Sequence, residues 1–181
     1  MFRTKLPTAI LIAGIVIFCI GIISCEKDDI CIDGNTPLLV VRFYDADNRT
    51  ELKKVPKFRI VGIGQKSTVS GVSDRTDLDS IAIPLKVTNS STGFYFISNS
   101  VDVEAQDQAG QPILLEGGDL DSLYFNYNRK DKFVSRACGH IANFDNLSGD
   151  LRSESQNWIK DIEITTPLVE NSTEAHVKIY H

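Results

Sequence analysis

The residues best suited to chemistry in this sequence are its four cysteines and three histidines. Cys138 and His140 lie two positions apart, a spacing that places both side chains on one face of a β-strand. A thiol next to an imidazole can act as a nucleophile, so one hypothesis for this pair is a hydrolase or thiol enzyme. No Asn or Asp in a recognisable signature lies nearby to orient the histidine, and Cys31 offers Cys138 a disulfide partner instead.

Other catalytic patterns are missing from the sequence. There is no P-loop, no glycine-rich dinucleotide motif, no Gly-x-Ser-x-Gly and no His-Glu-x-x-His. His176 and His181 fall in or just after the last predicted strand, where we expect both side chains to face solvent. No pair of carboxylates can be assigned a glycosidase role from the sequence. We therefore predict no catalytic residue, no metal ligand and no cofactor, and a protein that is not an enzyme.

Two identical four-residue words, Asp-Leu-Asp-Ser, begin at Asp77 and Asp119. Each precedes an alternating pattern, and we interpret both as turns in which Asp and Ser side chains satisfy free backbone groups. Calcium binding would need about six oxygen ligands, and no EF-hand spacing is present. Ser80 and Ser122 also stand in Asp-Ser-apolar tripeptides, which resemble the O-glycosylation sites of exported Bacteroidota proteins.

The N-terminus has the pattern of a targeting segment. Arg3 and Lys5 precede the apolar stretch Ala9–Ile23. A membrane-spanning helix needs about 20 apolar residues, whereas the apolar region of a signal peptide has roughly 7–15. The length of this stretch therefore predicts a signal segment over residues 1–24 in preference to an uncleaved N-terminal helix.

The four residues that close the apolar stretch, Ile22-Ile23-Ser24-Cys25, resemble the lipobox of bacterial lipoproteins. The resemblance implies cleavage behind Ser24 and lipidation of Cys25, which becomes the first residue of the mature chain. Each buried CH₂ group of an acyl chain contributes about 0.8 kcal/mol, so several long chains would hold the protein on a bilayer.

A possible export signal follows the predicted lipidation site. Lys27, Asp28 and Asp29 resemble the surface-export signal of Bacteroidota lipoproteins, although Ile30 replaces a further acid. The resemblance implies an outer membrane lipoprotein of the cell envelope, surface-exposed or periplasm-facing. The alternative is a solvated charged tether with no export role.

The cysteines can now be assigned. The signal segment contains Cys19 and lipidation would use Cys25, which leaves Cys31 and Cys138. An even pair of cysteines in an exported protein is typical of a disulfide. This bridge would close a loop of 107 residues, to which the chain-entropy model assigns about 4.7 kcal/mol.

Charge and aromatic content limit the partners. The formal net charge is -5, and no basic cluster is evident, so we predict no nucleic acid partner. Phe94-Tyr95-Phe96 and Tyr124–Tyr127 could line a platform for a sugar or a peptide. Aromatic side chains in strands more often belong to the core, and we expect that here. An envelope protein or a glycan is the partner class that the predicted location allows.

The rest of the chain alternates apolar and polar residues with the period of a β-strand. Residues rich in turn formers separate the alternating segments, and we also assign turns or loops to Lys130-Asp131 and Ser148–Asp150. The pattern predicts an all-β fold, an antiparallel, Ig-like β-sandwich of about eight or nine short strands, with a small barrel as the alternative. The alternating segments are Leu39–Phe43, Phe58–Ile63, Ile81–Val87, Phe94–Ile97, Val101–Ala105, Leu123–Tyr127, Phe133–Ile141, Trp158–Ile164 and Val177–Ile179.

Together these patterns predict a lipoprotein signal peptide over residues 1–24, a lipidated tether over 25–36 and a sandwich domain over 37–181. The chain is similar to a family of small uncharacterised Bacteroidota lipoproteins in Cys25–Cys31, Pro37–Tyr44 and Arg136–Gly139. The resemblance supports the paired cysteines and supplies no catalytic residue. The expected function is non-enzymatic binding or scaffolding by an outer-membrane-anchored lipoprotein. The alternatives are an accessory subunit of a larger envelope assembly and a hydrolase or thiol enzyme.

Overall fold

The computed structural model of the protein describes Cys31 and residues 35–152 and 156–181. The predicted signal segment, Cys25 and the export signal Lys27–Asp29 lie outside the described residues. Among the residues that are described, no helix has the length and apolarity that a bilayer crossing requires.

The described chain is built from eleven β-strands. Its alternating runs of β-branched and aromatic residues fit a pleated surface that is covered on one side, which explains why they form strands. The strands are β1 (Leu39–Tyr44), β2 (Val55–Gly62), β3 (Thr76–Leu78), β4 (Ser80–Ile83), β5 (Ser91–Ser98), β6 (Asp102–Gln106), β7 (Pro112–Glu116), β8 (Asp119–Ser135), β9 (Gly139–Leu151), β10 (Asp161–Ile164) and β11 (Val177–Tyr180).

Nine of these strands form two larger sheets. Their orders are β10-β11-β1-β4 and β3-β2-β5-β8-β9, and all neighbours are antiparallel except β1 and β11, which are parallel. The remaining two strands, β6 and β7, form a separate antiparallel pair. The prediction of an all-β, largely antiparallel sandwich is confirmed, and β3 and β7 are additions to the predicted strands. The predicted strand Phe133–Ile141 is wrong, because a turn at residues 136–138 divides it between β8 and β9.

Aromatic side chains from both sheets meet in the core. Phe43 of β1 lies 5.2 Å from Phe58 of β2 and 6.5 Å from Phe96 of β5, measured between ring centroids. All three rings are fully buried. Leu39 and Val41 share the buried face of β1 with Phe43, as their alternation predicts. Tilted and edge-on ring pairs at such distances stabilise a core beyond the area that they bury.

The two longest strands contradict two predicted turns. β8 has 17 residues and β9 has 13, and they pair with each other along most of their length. Lys130 and Asp131 lie inside this ribbon, opposite Asn143 and Ala142, and Ser148–Asp150 belongs to β9. The chain instead turns at residues 136–138. Lys130 and Asp131 are exposed on this ribbon. Cross-strand pairing thus overrides their local preference for a turn.

His176 is fully buried, so the expectation that it faces solvent is wrong. Its Nδ1 accepts a hydrogen bond of 3.1 Å from the backbone N–H of Val40, which requires a neutral ring with an unprotonated Nδ1. Burial lowers the pKa of His176, and Glu174 offsets this only in part. His181 is also partly buried, and its ring meets those of Phe43 and Trp158 edge-on.

The buried histidine predicts a pH dependence of stability. Because the pKa of His176 is lower in the folded chain than its ordinary value of 6.5, the unfolded chain binds a proton more readily. The contribution of His176 to the free energy of unfolding is therefore fully present above pH 6.5, and it is lost as the pH falls from 6.5 towards the lowered pKa. Urea unfolding followed between pH 8 and pH 5 measures this decrease. His176→Asn, which keeps an acceptor near the position of Nδ1, should lose less stability over that range, and an equal loss would contradict the assignment.

Candidate interaction surfaces

Cys31 and Cys138 form a disulfide, with their Cα atoms 4.8 Å apart. Cys138 lies in the turn that joins β8 to β9, and the bridge leaves no thiol there for the nucleophile hypothesis. His140 is the second residue of β9 and packs edge-on against Phe133 at 5.2 Å between ring centroids. The disulfide that the cysteine arithmetic predicts is therefore present in the structure, and His140 takes part in a ring contact.

A second contact holds the chain that leads into the sandwich against β9. The Oγ1 of Thr36 accepts a hydrogen bond of 3.4 Å from the backbone N–H of Ala142. Pro37, the next residue, is buried. The predicted tether is thus fixed to the β8–β9 ribbon at its turn, through Cys31, and again near its base, through Thr36.

The outer part of the β8–β9 ribbon is exposed and basic, so the statement from the sequence that no basic cluster is evident is wrong for residues 129–136. We call residues 128–141 the hairpin tip. Phe133 is 58% exposed, which is unusual for so large an apolar ring. Arg129 pairs with Asp131 at 2.6 Å, and Lys130 pairs with Asp145 at 2.5 Å. Lys132 and Arg136 form no ion pair with any acidic residue in the described ranges 35–152 and 156–181.

The strand pair β6–β7, with its connecting residues 101–117, forms an arm outside the two larger sheets. Val103, Leu114 and Leu115 are 45%, 66% and 50% exposed. The sequence pattern predicts a half-buried strand at Val101–Ala105, but a two-stranded ribbon has no second sheet over it, so these side chains stay in solvent. The apolar run Ile113–Leu115, set between turn residues, is the sequence signal for the second strand, and sequence reasoning missed it.

The arm is also acidic. Residues 101–117 contain four carboxylates and no lysine or arginine. The arm therefore joins an exposed aliphatic surface to acidic side chains, a combination that suits a protein partner with an apolar patch and basic residues. The carboxylates are Asp102, Glu104, Asp107 and Glu116.

Polar contacts fix the base of the arm to the sandwich. Glu116 accepts hydrogen bonds from the Nη1 of Arg59 at 3.0 Å and from the Oγ of Ser100 at 2.8 Å. Both terminal nitrogens of Arg75 donate to the carboxylate of Asp102, which lowers the pKa of that carboxyl. Bidentate arginine–carboxylate pairs define an orientation as well as a distance. The arm is thus held in a set position rather than attached only by its two chain connections.

A cleft of about 340 Å³ separates the arm from the outer face of the five-stranded sheet. Leu114 and Leu115 line its arm side, and Val61, Tyr95 and Ile97 line its sheet side. Its two carboxylates, at 102 and 116, are both paired with arginines. They are therefore poorly placed for acid–base chemistry, because a general base must be free to accept a proton.

A second cleft, of about 310 Å³, lies beside the ends of β2 and β5. Its lining includes Ile63, Val69, Leu85 and Phe94, with Lys86 as the only charged residue. No acid or histidine of the described residues lines this cleft. Across the described ranges 35–152 and 156–181, no group of three or more His, Cys, Asp or Glu side chains could hold a metal ion.

The two Asp-Leu-Asp-Ser words occupy different environments. The first spans β3 and the start of β4, where Asp77 accepts a hydrogen bond of 2.9 Å from the Lys57 N–H. The second lies within β8, where Asp121 is fully buried and accepts a hydrogen bond of 2.8 Å from the Ile159 N–H. Neither word is a simple turn before a strand. Ser122 is only 9% exposed, so Ser80 is the more accessible of the two hydroxyls for a glycan.

Strand alternation places the aromatic side chains of the two possible platforms on opposite faces of the sheet. Phe94, Phe96, Phe125 and Tyr127 are buried in the core, as expected. Tyr95 and Tyr124 point to the outer face and are partly exposed. Tyr95 lines the cleft beneath the arm, and the guanidinium of Arg152 lies 4.9 Å from the ring centre of Tyr124. In these two segments the alternation therefore leaves single tyrosines at the surface and does not form a continuous sugar platform.

Removing the Glu116 carboxylate should release the arm. Glu116→Ala leaves the guanidinium of Arg59 without its 3.0 Å partner, and we expect faster amide exchange and proteolysis within residues 102–116. Hydrogen exchange read by mass spectrometry measures this locally. Glu104→Ala, on the same arm, is the matched control and should leave exchange unchanged. Equal exchange in the two variants would show that Glu116 does not fix the arm.

These features define a disulfide-bridged, all-β domain with an exposed acidic arm at one end of β8 and a basic hairpin tip at the other. The chain belongs to a family of unknown function (DUF6452), and the match covers residues 57–181. The matched range includes the arm, the hairpin tip and Cys138. No curated protein and no solved structure matches the chain.

Proposed function

We propose that the chain is an outer-membrane-anchored lipoprotein whose sandwich domain binds another envelope protein without catalysing a reaction. The observation that carries this proposal is the arm, an acidic strand pair that is held rigidly by Glu116 and Asp102 yet presents large aliphatic side chains to solvent. Exposed apolar groups on a fixed scaffold are typical of protein interaction sites.

The position of the arm supports this role. The arm joins β8 at Asp119, and the disulfide lies just beyond the other end of β8, at Cys138. A 17-residue strand spans roughly 50 Å at about 3.3 Å per residue. An anchor at Cys25, six residues before Cys31, would thus place the arm at the end of the domain far from the membrane, where a partner can reach it.

Permanent membership of a larger envelope assembly is the second candidate. It is favoured by the aliphatic character of Val103, Leu114 and Leu115, since lasting interfaces are more apolar than transient ones. The two candidates use the same surface and differ in the lifetime of the complex.

Pull-down from detergent-solubilised outer membrane tests the proposal. The wild-type chain should recover a specific partner, and Leu114→Ser with Leu115→Ser should lose it while keeping its urea midpoint. Phe133→Ser removes an equally exposed apolar group at the hairpin tip and should keep the partner. Recovery of the wild-type protein alone, or capture that the arm variant does not reduce, would contradict the assignment. Mass spectrometry of the mature N-terminus tests the acylation of Cys25 separately.

A further inference from the structure

We propose that the hairpin tip is a membrane contact that seats the domain on an anionic phospholipid surface. The inference rests on the proposed anchor at Cys25, and it assigns a role to Phe133, Lys132 and Arg136 that the anchor alone does not require.

Chain length sets the distance between the tip and the bilayer. Cys31 follows Cys25 by six positions, and a fully extended chain covers at most about 3.5 Å per residue. The Cα of Cys31 therefore lies within about 20 Å of the lipidated residue. Because the Cα atoms of Cys31 and Cys138 are only 4.8 Å apart, the hairpin turn lies within about 25 Å of the lipidated residue.

The charges of the tip suit that location. Residues 129–140 contain four Lys or Arg side chains and one Asp, in a chain whose formal net charge is -5. Lys132 and Arg136 lack acidic partners among the described residues, so both are available to anionic headgroups. The acidic arm at the far end of β8 would be repelled by the same surface. The two ends of β8 therefore favour one orientation of the domain.

Phe133 supplies the apolar part of the contact. Its ring is 58% exposed and touches His140 on its own ribbon. An aromatic ring with basic side chains around it is the combination that interfacial membrane segments use. Insertion of the ring between headgroups would remove it from water, and this explains an exposed phenylalanine at the point of the domain nearest the anchor.

The experiment uses the mature chain, residues 25–181, because every strand and every buried core residue that the structure describes lies between 37 and 180. With Cys31 and Cys138 in their disulfide, Cys25 is the only free thiol in this chain. It can be coupled to a maleimide phospholipid in vesicles of phosphatidylethanolamine and phosphatidylglycerol. This coupling imposes the anchor whether or not Cys25 is acylated in the cell, so a failure of the tip contact is distinct from a failure of the anchor.

Tryptophan quenching by brominated phospholipids then reports which surface meets the bilayer. Phe133→Trp should show a blue-shifted emission that brominated lipid quenches. Leu114→Trp, at an equally exposed position on the arm, should show neither effect. Trp158 is the only native tryptophan, and the wild-type chain supplies its background. Quenching that is absent at position 133, or equal at positions 133 and 114, would overturn the proposal.

The charges are tested with uncoupled chains that carry Cys25→Ser. Lys132→Gln and Arg136→Gln should each lower the partition coefficient onto these vesicles about fivefold, and Phe133→Ala should lower it about tenfold. Lys54→Gln is the matched control. Lys54 lies at the arm end of the domain, directly before β2. Near the start of β2, the carbonyl of Pro56 accepts a hydrogen bond of 2.9 Å from the N–H of Asn99, two residues before the arm begins. Equal loss in the Lys54 variant, or binding that raised salt does not weaken, would contradict a specific tip contact.

Discussion

Replacing Phe96 with alanine is expected to lower the free energy of unfolding by about 3–5 kcal/mol. The Phe96 ring is fully buried and lies 5.9 Å from Phe58 and about equally far from Phe43, Phe94 and Phe125, at 6.4–6.5 Å. Its removal would leave a cavity between the two sheets, and the surrounding rings cannot all move to fill it. Urea unfolding followed by the fluorescence of Trp158 measures the loss directly.

Two variants show whether the effect comes from the cavity. Phe133→Ala removes the same atoms from a ring that is 58% exposed, and we expect it to change stability by less than about 0.5 kcal/mol. Phe96→Leu keeps most of the buried volume and should fall between the two alanine variants. A Phe96→Ala cost near that of Phe133→Ala would mean that the two sheets can close over the missing ring.

Removing the disulfide is expected to lower the free energy of unfolding by about 2–4 kcal/mol. The bridge closes a loop of 107 residues, so the unfolded chain loses much of its freedom when the bridge is present. The effect should fall below the full loop-closure value of about 4.7 kcal/mol. Without the bridge, the residues before Thr36 would gain freedom in the folded state too. Cys31→Ser with Cys138→Ser, compared in urea unfolding, measures the difference.

The control for the bridge is Cys25→Ser, which leaves Cys31 and Cys138 paired and should not change stability. The double variant should also show faster amide exchange at Ala142. Without the bridge, the chain before Thr36 is no longer fixed to the ribbon, so the hydrogen bond between the Ala142 N–H and Thr36 should open more often. A stability loss below about 1 kcal/mol, with unchanged exchange at Ala142, would show that contacts other than the bridge fix the tether to the ribbon.

The parts of the fold that could be predicted are those that depend on a single strand. Leu39, Val41 and Phe43 alternate, and successive side chains of any strand point to opposite faces, so their shared buried face follows from the chain itself. The pairing of Cys31 with Cys138 could also be predicted from the sequence, because assigning Cys19 to the signal and Cys25 to lipid leaves one pair. The lipid anchor and export signal stay predictions, since they lie outside the described residues.

The candidate surfaces could not be predicted in the same way. Val103 alternates with its neighbours as regularly as Val41 does, yet it is 45% exposed, because neither of the two larger sheets that the structure describes covers its side chain. Lys130 and Asp131 favour a turn locally, but their pairing with Asn143 and Ala142 continues the ribbon. His176 lies near the C-terminus in a polar stretch, and only its packing against β1 buries it.

The sequence by itself thus determined the β-class of the domain, the inward face of its first strand and its pairing of cysteines. The tertiary structure alone decided which alternating faces are covered, how far β8 and β9 extend, and that a basic tip and an acidic arm lie at opposite ends of one strand. The physical reason is that alternation is a local property of strand geometry. Burial and exposure depend on which distant segments pack over each face.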